Sequence, residues 1–488
     1  MPSLMHISDL HRSLEEPISN PELLAALERD AARYVDEDPP IPTPEAVVVS
    51  GDIVLGALLD DPAFEQKIVD QYEKAEDFLV GLADMFLDGD RSRIVICPGN
   101  HDVDWNKSRA SMRLVEPDRY PQDIAGALVS PGSRFRWNWS DCSLYEIFDE
   151  QAYASRMDEY FAFLKSFYTG IDLLQFPADL EMPLLAELFD RRVLIAAFNS
   201  CSQNDCYRRR GEIDAQVASQ LHLDLQARGW KYELQIAVWH HNTAGPPHSD
   251  DYLNIEQIRT MIDFGFRLGL HGHQHRSEVT AQQMKLPEEQ TMTVLSAGSL
   301  AAGNPELPRG VNRQYSMLEI SEDFHGVRLH LREIETGTQF GARRLNTFGG
   351  RSYYETEWTP VRSATGTVVD APRLNRSQLV IDAEAMVRAG DFQLALDTLA
   401  PVAATLDSYG RRLLVEGSEG ARNWRLALEL TAEAQSHDEV AFRVRAAVEL
   451  REFDTARKIV QDEGSALGME MPQRQALLDW ISGEEAIG

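Results

Sequence analysis

The sequence has few cysteines and no long apolar run. Its 488 residues include four cysteines, too few and too scattered for a disulfide scaffold. Cys201 and Cys206 are close enough in sequence for a local pair, but free thiols are favoured. No window approaches about 18 uninterrupted apolar residues, and the first ten residues lack the basic and apolar regions of an export signal. We therefore expect a cytoplasmic protein without a membrane partner.

Positive charge is also scarce. The chain has 47 Lys and Arg against 78 Asp and Glu, a formal net charge of −31. This balance argues against a broad basic face of the kind that grips duplex nucleic acid or an anionic membrane. Bound cations or small arginine clusters can reverse the sign locally, so anionic substrates stay open. The chain also lacks G-x-x-x-x-G-K-[ST], which excludes P-loop nucleotide hydrolysis.

Two domains are expected, because a single core seldom grows past about 250 to 300 residues. Over residues 1–358, short apolar runs alternate with helical patterns, which predicts an α/β domain. The pattern loosens over about 103–191, which predicts an insertion, and strand-like segments within 291–333 are expected at the edges of a sheet. Predicted buried strands cover 46–50, 93–97, 193–198 and 234–239, and predicted helices cover 21–35, 64–87 and 155–168. Asn20 is the expected N-cap of the first helix.

The C-terminal part is helical in pattern. After a linker at 359–377, residues 378–488 contain three similar phrases, DFQLAL, NWRLAL and EFDTAR. Their aromatic residues, Phe392, Trp424 and Phe453, are 32 and 29 residues apart. This period is close to that of helix-turn-helix repeats and favours a tetratricopeptide-like domain for partner binding or self-association. An ordinary helical bundle is the alternative.

The histidines are strongly clustered. Eight of the 13 lie in four short segments that follow or end predicted strands. In extended backbone, a spacing of two places both side chains of Asp9 and His11 on one face, and the same holds for His273 and His275. Imidazole, carboxylate and amide oxygen without thiolate suit Mn, Fe or Zn. The segments, with one more, are HISDLH (6–11), SGDIV (50–54), PGNHDVDW (98–105), VWHHN (238–242) and LHGHQH (270–275).

These five segments resemble the calcineurin-like metallophosphoesterase superfamily, whose blocks D-x-H, G-D, G-N-H-D, H and G-H-x-H occur here complete and in order over about residues 3–335. The resemblance implies a four-layer αββα sandwich followed here by the all-α helical-repeat domain. It also implies two divalent metal ions, manganese first, with iron, zinc or nickel as alternatives.

The resemblance further assigns the site residues. It implies that Asp52 bridges the two metals, that His101 contacts the phosphate and protonates the leaving oxygen, and that Asp102 orients His101. One metal would be held by Asp9, His11, Asp52 and His275, and the other by Asp52, Asn100, His240 and His273. The choice of His240 over His241 is open, because the two prolines that follow this pair in relatives are replaced here.

Substrate contacts are expected at the rim of the site. Candidates are Asn199, His241 and the three consecutive arginines Arg208, Arg209 and Arg210, which can meet phosphates. A solvated charged turn is the alternative for the arginines. A second basic and aromatic segment, 134–139, can stack on unpaired bases or can belong to a packed insertion.

The favoured function is a metal-dependent phosphodiesterase that acts on nucleic acid, since the histidine of G-N-H-D supplies an acid for a poor alkoxide leaving group. A bacterial defence context is suggested by analogy with multidomain relatives. The first alternative is a cyclic or small-nucleotide phosphodiesterase. A second alternative, from another class, is a scaffold that binds partners through residues 378–488.

Overall fold

The computed structural model divides the chain into two compact units, Met1–Val361 and Arg362–Gly488. The linker predicted at 359–377 lies outside the described residues. The structure describes residues 2–15, 17–130, 132–177, 182–229, 231–244, 251–284, 290–344, 350–358, 379–380, 383–384, 386–400, 403, 406, 408–430, 437–467, 469 and 471–487.

The first unit contains strands and helices in alternation. The strands are β1 (Ser3–Ile7), β2 (Ala46–Ser50), β3 (Ile94–Cys97), β4 (Met112–Leu114), β5 (Phe135–Asn138), β6 (Ser143–Ile147), β7 (Leu184–Leu188), β8 (Val193–Ala197), β9 (Leu234–Val238), β10 (Leu268–His271), β11 (Glu278–Met284), β12 (Gln290–Ser296), β13 (Gln314–Ile320), β14 (Gly326–Thr336), β15 (Gln339–Ala342) and β16 (Tyr353–Glu357). The helices are α1 (Asn20–Ala31), α2 (Phe64–Phe86), α3 (Trp105–Ala110), α4 (Ile124–Val129), α5 (Glu150–Ala154), α6 (Asp158–Phe167), α7 (Ala215–Ala227) and α8 (Ile255–Asp263).

Two sheets form the body of this unit. The first has the order β15-β14-β13-β1-β2-β3, with β16 also paired to β14, and the second has the order β11-β12-β10-β9-β8-β7. Buried side chains from both sheets, such as Val48 and Ile236, share one core with Leu27 of α1 and Phe78 of α2. A second core joins the other face of the second sheet to α7 and α8. The α/β sandwich is confirmed.

Parallel pairing brings strand ends together. β1, β2 and β3 are parallel, with Ile7 opposite Val49 and Ser50 opposite Cys97. β8, β9, β10 and β12 are also parallel. The carboxyl ends of parallel strands lie at one edge of a sheet, so residues that follow these strands can meet.

Three boundaries differ from the expectations. β7 lies inside the predicted insertion but pairs with β8, so it belongs to the second sheet. The rest of that segment carries its own sheet, in the order β4-β6-β5. β12, β13 and β14, expected at the edges, each lie between two neighbouring strands. Ser19, rather than Asn20, caps α1 in a reciprocal arrangement with Glu22.

The second unit is helical, as predicted. Each of the three similar phrases begins a helix at its aromatic residue, after a residue with positive φ: Gly390 (82°), Arg422 (52°) and Arg451 (59°). The alanines three residues after the aromatics, Ala395, Ala427 and Ala456, are fully buried. Its helices are α9 (Phe392–Leu399), α10 (Ser408–Ala421), α11 (Trp424–Leu430), α12 (His437–Glu449), α13 (Phe453–Ala466) and α14 (Met471–Ile487). Among the described helices of the whole chain, none is long and apolar enough to cross a membrane.

Candidate metal centre

The polar residues of the five segments meet at the carboxyl ends of β1, β2, β3, β9 and β10. Glycine allows this approach at two points. A Cβ at Gly99 would lie 2.2 Å from the backbone nitrogen of Asp52, and one at Gly272 would lie 1.8 Å from Ser8 Oγ. Both distances are far inside van der Waals contact, so these positions need glycine for the loops to pack.

The first cluster contains Asp9, His11, Asp52 and His275. One ligand atom from each lies within 4.8 Å of the others. Nε2 of His275 is 3.1 Å from Asp9 Oδ1 and 3.2 Å from Nε2 of His11. Nε2 of His11 is 3.6 Å from Asp52 Oδ2. Two carboxylates and two imidazoles therefore converge on one point.

The second cluster shares Asp52. Nε2 of His240 is 3.3 Å from Asp52 Oδ2 and 3.0 Å from Asn100 Oδ1. Nδ1 of His273 is 2.9 Å from the same Asn100 oxygen and 3.2 Å from His240 Nε2. The structure thus brings all seven predicted ligands together, in the two predicted groups, and places His240 rather than His241 in the second.

The hydrogen bonds outside the clusters test whether these residues fit metal ions. Nδ1 of His240 lies 2.8 Å from the carbonyl oxygen of Ser50, and Nε2 of His273 lies 3.1 Å from a carboxylate oxygen of Asp251. Both partners accept hydrogen bonds, so each ring donates its N–H outward and turns the lone pair of its other nitrogen into the cluster. When both rings are neutral, two lone pairs and the Asn100 oxygen face one another. A cation satisfies this arrangement, and the residues fit two divalent ions.

The backbone at the ligands is left-handed rather than extended. The φ angles are 51° at Asp9, 45° at His11, 52° at Asp52, 76° at His273 and 53° at His275. The predicted extended spacing is therefore wrong for both pairs. Non-glycine residues adopt this conformation at a cost of about 1 to 2 kcal/mol each, and such residues concentrate at functional sites.

Hydrogen bonds across the sheet hold two of these strained residues. The backbone N–H of Asp9 donates to Gly51 and that of His11 donates to Asp52. The ligand loops after β1 and β2 therefore fix each other.

The buried ionisable groups of the site shift one another's pKa values. Burial raises the pKa of Asp9, but His275 and its neighbours more than reverse this, so the pKa lies well below its usual value. Burial also raises the pKa of Asp52, but His240 and the other nearby histidines lower it by more, so this pKa too lies below its usual value. Burial lowers the pKa of His240, but the Asp52 carboxylate raises it to about 10, so without a metal the ring holds a second proton that a bound cation would replace. Both carboxylates are therefore ionised at neutral pH, as metal ligation requires.

Two further histidines pack beside the ligands. Burial is the main cause that lowers the pKa of His6 to about 3 and that of His271 to about 4. His6 Nε2 hydrogen-bonds to Ser50 Oγ at 2.9 Å, and the ring of His271 stacks on Trp239. These neutral rings support the loops rather than bind a cation.

His101 lies beside the first cluster. Its ring centroid is 4.6 Å from that of His11, and its Nδ1 is 2.8 Å from the carbonyl oxygen of Leu55. That carbonyl orients the ring and leaves Nε2 as the atom that can exchange a proton with a substrate.

The carboxylate of Asp102 bonds to the loops on either side of His101. Its carboxylate accepts hydrogen bonds from the backbone N–H groups of Gly99 (2.7 Å) and Ile53 (3.2 Å) and from the hydroxyl of Tyr72 (3.0 Å). Burial raises its pKa to about 7. Asp102 therefore ties together the loops after β2 and β3, and the direct orienting contact to His101 comes from Leu55.

His241 lies behind the second cluster. It is fully buried, and its ring nitrogens are 2.9 Å from Ser200 Oγ and 3.3 Å from Asn204 Nδ2. The expected substrate contact by His241 does not fit this geometry, because no part of the ring reaches solvent. Asn199 Oδ1 accepts a hydrogen bond from the backbone N–H of Cys201, which shapes the start of the same loop.

The arginines of the rim differ from one another. Arg208 and Arg210 lie 3.9 Å and 3.5 Å from Glu212, whereas the guanidinium of Arg209 lies 5.1 Å over the ring of Trp105. In the other basic segment, Arg136 is buried and contacts Asp205 at 2.5 Å. The packed-insertion interpretation therefore holds for Arg136.

The sequence did not reveal three groups that orient the site. These are the carbonyl groups of Ser50 and Leu55 and the carboxylate of Asp251. Backbone carbonyls leave no mark in a sequence. Asp251 stands between the fourth block and α8, in a stretch whose acidic residues have no diagnostic spacing.

Comparisons with known proteins indicate the family of the chain. The model of the calcineurin-like phosphoesterase family matches residues 2–277. A dimetal phosphatase from Danio rerio is similar in structure, at 11% identity over 73% of this chain and 99% of that chain, with a TM-score of 0.36. The calcineurin-like phosphoesterase YfkN from Bacillus subtilis shares 11% identity over 77% of this chain and 95% of that chain, with a TM-score of 0.29. No curated protein matches the chain. Because the family match spans more than half of its residues, the chain belongs to the calcineurin-like phosphoesterase family.

Proposed function

We propose that the chain is a dinuclear metal-dependent hydrolase of phosphodiester bonds, with nucleic acid as its substrate and manganese as its metal. The observation that carries this proposal is the convergence of seven nitrogen and oxygen ligands into two clusters that share Asp52. Two divalent ions at these clusters would neutralise phosphoryl oxygens and lower the pKa of water at the site.

Charge supports an anionic substrate here. The two clusters contain only two carboxylates, those of Asp9 and Asp52, and the other ligands are neutral. Two divalent ions would therefore leave a net positive site within a chain of net charge −31. This positive charge at the metal centre would attract the negative charge of a phosphate ester.

His101 supports a diester. With Nδ1 engaged by Leu55, Nε2 of His101 is the proton donor for a leaving oxygen. An alkoxide is a poor leaving group. Hydrolysis of an alkyl diester therefore gains more from a proton donor than hydrolysis of an ester such as a nitrophenyl ester, whose leaving group is already stable as an anion. The expected signature is a His101→Ala variant that keeps its metals and loses far more activity on alkyl diesters than on nitrophenyl esters.

The substrate class is tested with the purified full chain in manganese. Separate incubations contain single-stranded DNA, duplex DNA and cyclic nucleotides, each repeated with a chelator and with the His101→Ala variant. Chelator-sensitive cleavage of DNA supports the proposal. Cleavage of cyclic nucleotides alone would make the protein a nucleotide phosphodiesterase.

For the second unit, we propose a short tetratricopeptide-like array that mediates self-association. The three equivalent turns before Phe392, Trp424 and Phe453 support a repeat. Leu394 and Met471 are 52% and 63% exposed and offer apolar surface for such an interface. Light scattering of the full chain and of Leu394→Asp tests this, with a dimer that the substitution dissociates as the expected result and an unchanged monomer as the contrary one.

A further inference from the structure

One arginine at the rim of the metal centre differs from its neighbours. Within the described part of the chain, Arg209 has no carboxylate partner, whereas Arg208 and Arg210 both approach Glu212. Arg209 is exposed, and its guanidinium lies over the indole ring of Trp105. In a chain with 78 acidic residues, a cation that meets an aromatic face instead of an acid keeps its charge available for a ligand.

This cation lies close to the reacting centre. Trp105 begins α3, directly after the G-N-H-D segment, and its ring centroid is 6.5 Å from that of His101. The guanidinium is 5.1 Å from the Trp105 centroid, which places it within about 12 Å of the His101 ring. His101 in turn contacts His11 of the first cluster. A substrate that is bound at the metals and extends past His101 over Trp105 would bring a second phosphate to Arg209.

Hydrogen bonds to the carboxylate of Asp205 fix the loop that carries Arg209. Asp205 is buried, and its Oδ1 accepts hydrogen bonds at 2.9 Å from the backbone N–H groups of Tyr207 and Arg208. Its Oδ2 is held by Arg136 (2.5 Å) and the hydroxyl of Tyr153 (2.8 Å), both from the insertion. The insertion therefore anchors this turn, and less conformational entropy is lost when Arg209 binds a ligand.

The side chain suits phosphate better than a general anion. A guanidinium presents paired N–H donors in one plane, which matches two oxygens of a phosphate, and its face can remain stacked on an aromatic ring while its edge binds. Arg209 on Trp105 has this arrangement.

We propose that Arg209, stacked on Trp105, binds a second phosphate of the substrate and so makes the enzyme prefer linear nucleotide chains to cyclic nucleotides, which carry one phosphate. This inference rests on the proposed phosphodiester hydrolysis. A charge-assisted pair of this kind predicts about a tenfold preference.

The test compares a thymidine dinucleotide with free ends against the same dinucleotide with a phosphate at each end. The ratio of kcat/KM between the two substrates is measured in manganese for the wild type, Arg209→Gln, Arg209→Lys and Arg192→Gln. Arg192 is the control, because it is a surface arginine at the opposite end of β8 and pairs with Glu233. The proposal expects the ratio to fall about tenfold in Arg209→Gln, less in Arg209→Lys, and not in Arg192→Gln. An equal loss on both substrates in Arg209→Gln would overturn it.

A binding measurement separates this proposal from the proposed function. The dissociation constants of both dinucleotides are measured by calorimetry on the manganese-loaded His101→Ala variant, with and without Arg209→Gln. If the wild type hydrolyses neither dinucleotide, the proposed hydrolysis of linear nucleotide chains is contradicted, yet the ratio of dissociation constants still tests Arg209. Loss of the preference for the doubly phosphorylated dinucleotide supports the role of Arg209, and an unchanged ratio contradicts it.

Discussion

Removal of the Asp251 carboxylate should weaken metal binding at the second cluster. Asp251 Oδ2 lies 3.1 Å from Nε2 of His273, whose Nδ1 faces Asn100 and His240. The carboxylate therefore holds the ring in the tautomer that directs a lone pair into the cluster. Asp251→Ala leaves the ring free to rotate and to place its proton on either nitrogen.

The expected size of the effect follows from the exposure of Asp251. Loss of a partner that orients a ligating histidine typically costs 10- to 100-fold in metal affinity. The side chain of Asp251 is 32% exposed, so solvent screens part of its charge. We therefore expect the lower end of this range, about tenfold or about 1.4 kcal/mol, for one of two manganese ions. Asp251→Asn keeps an oxygen acceptor and should lose less.

Isothermal titration of metal-free protein with manganese measures both binding steps. Asp224→Asn is the matched control, since Asp224 is an acidic residue of α7 whose carboxylate accepts a hydrogen bond from Gln220. Only one binding step should weaken in Asp251→Ala, and thermal unfolding of the metal-free proteins should be similar. Two unchanged affinities in Asp251→Ala would refute the orienting role, and equal weakening in Asp224→Asn would show that net charge alone is responsible.

Two further predictions concern packing and pH. A Cβ at Gly99 would lie 2.2 Å from backbone and carboxylate atoms of Asp52. Gly99→Ala should therefore lower the free energy of unfolding by about 1 to 3 kcal/mol and reduce the bound manganese that elemental analysis measures. Gly483→Ala, where no atom lies within 4 Å of the added Cβ, should do neither. Burial, and after it the nearby arginines, lower the pKa of His330 to about 4. The folded protein therefore keeps this ring neutral, and its stability is full above about pH 6.5 and falls below that pH, where the histidine of the unfolded chain takes up a proton. The wild type should lose about 2 kcal/mol more than His330→Gln between pH 7 and pH 5 in urea unfolding, and an equal loss in both would contradict this assignment.

The seven candidate ligands could be named from the sequence because the five blocks that resemble the family consist of side chains whose order and spacing can be read directly. Carboxylate, imidazole and amide residues occur at fixed spacings after apolar runs, and parallel strands bring such residues to one edge. The choice between His240 and His241 could not be made in this way, since both follow β9 and both are histidines. It depends on which ring reaches Asn100, and His241 is instead held by Ser200 behind the cluster.

The local geometry could not be predicted, because it depends on backbone. Left-handed φ angles at Asp9 and His273 are held by neighbouring loops, and although Asp and His adopt this region more often than most residues, only a few of those in a sequence do so. The partner of His101 is a carbonyl oxygen that any residue at position 55 would supply. β7 falls inside the expected insertion, and only its pairing with β8 shows that it belongs to the second sheet.

The central claim is that Asp52 joins two metal ions that together hydrolyse a phosphodiester. The most direct test is the hydrolysis rate of bis(p-nitrophenyl) phosphate as manganese is added to metal-free wild type and to Asp52→Asn. We expect the wild-type rate to rise until two ions are bound per chain and Asp52→Asn to bind fewer ions and remain inactive. Full activity of the metal-free wild type, or of Asp52→Asn, would contradict the claim.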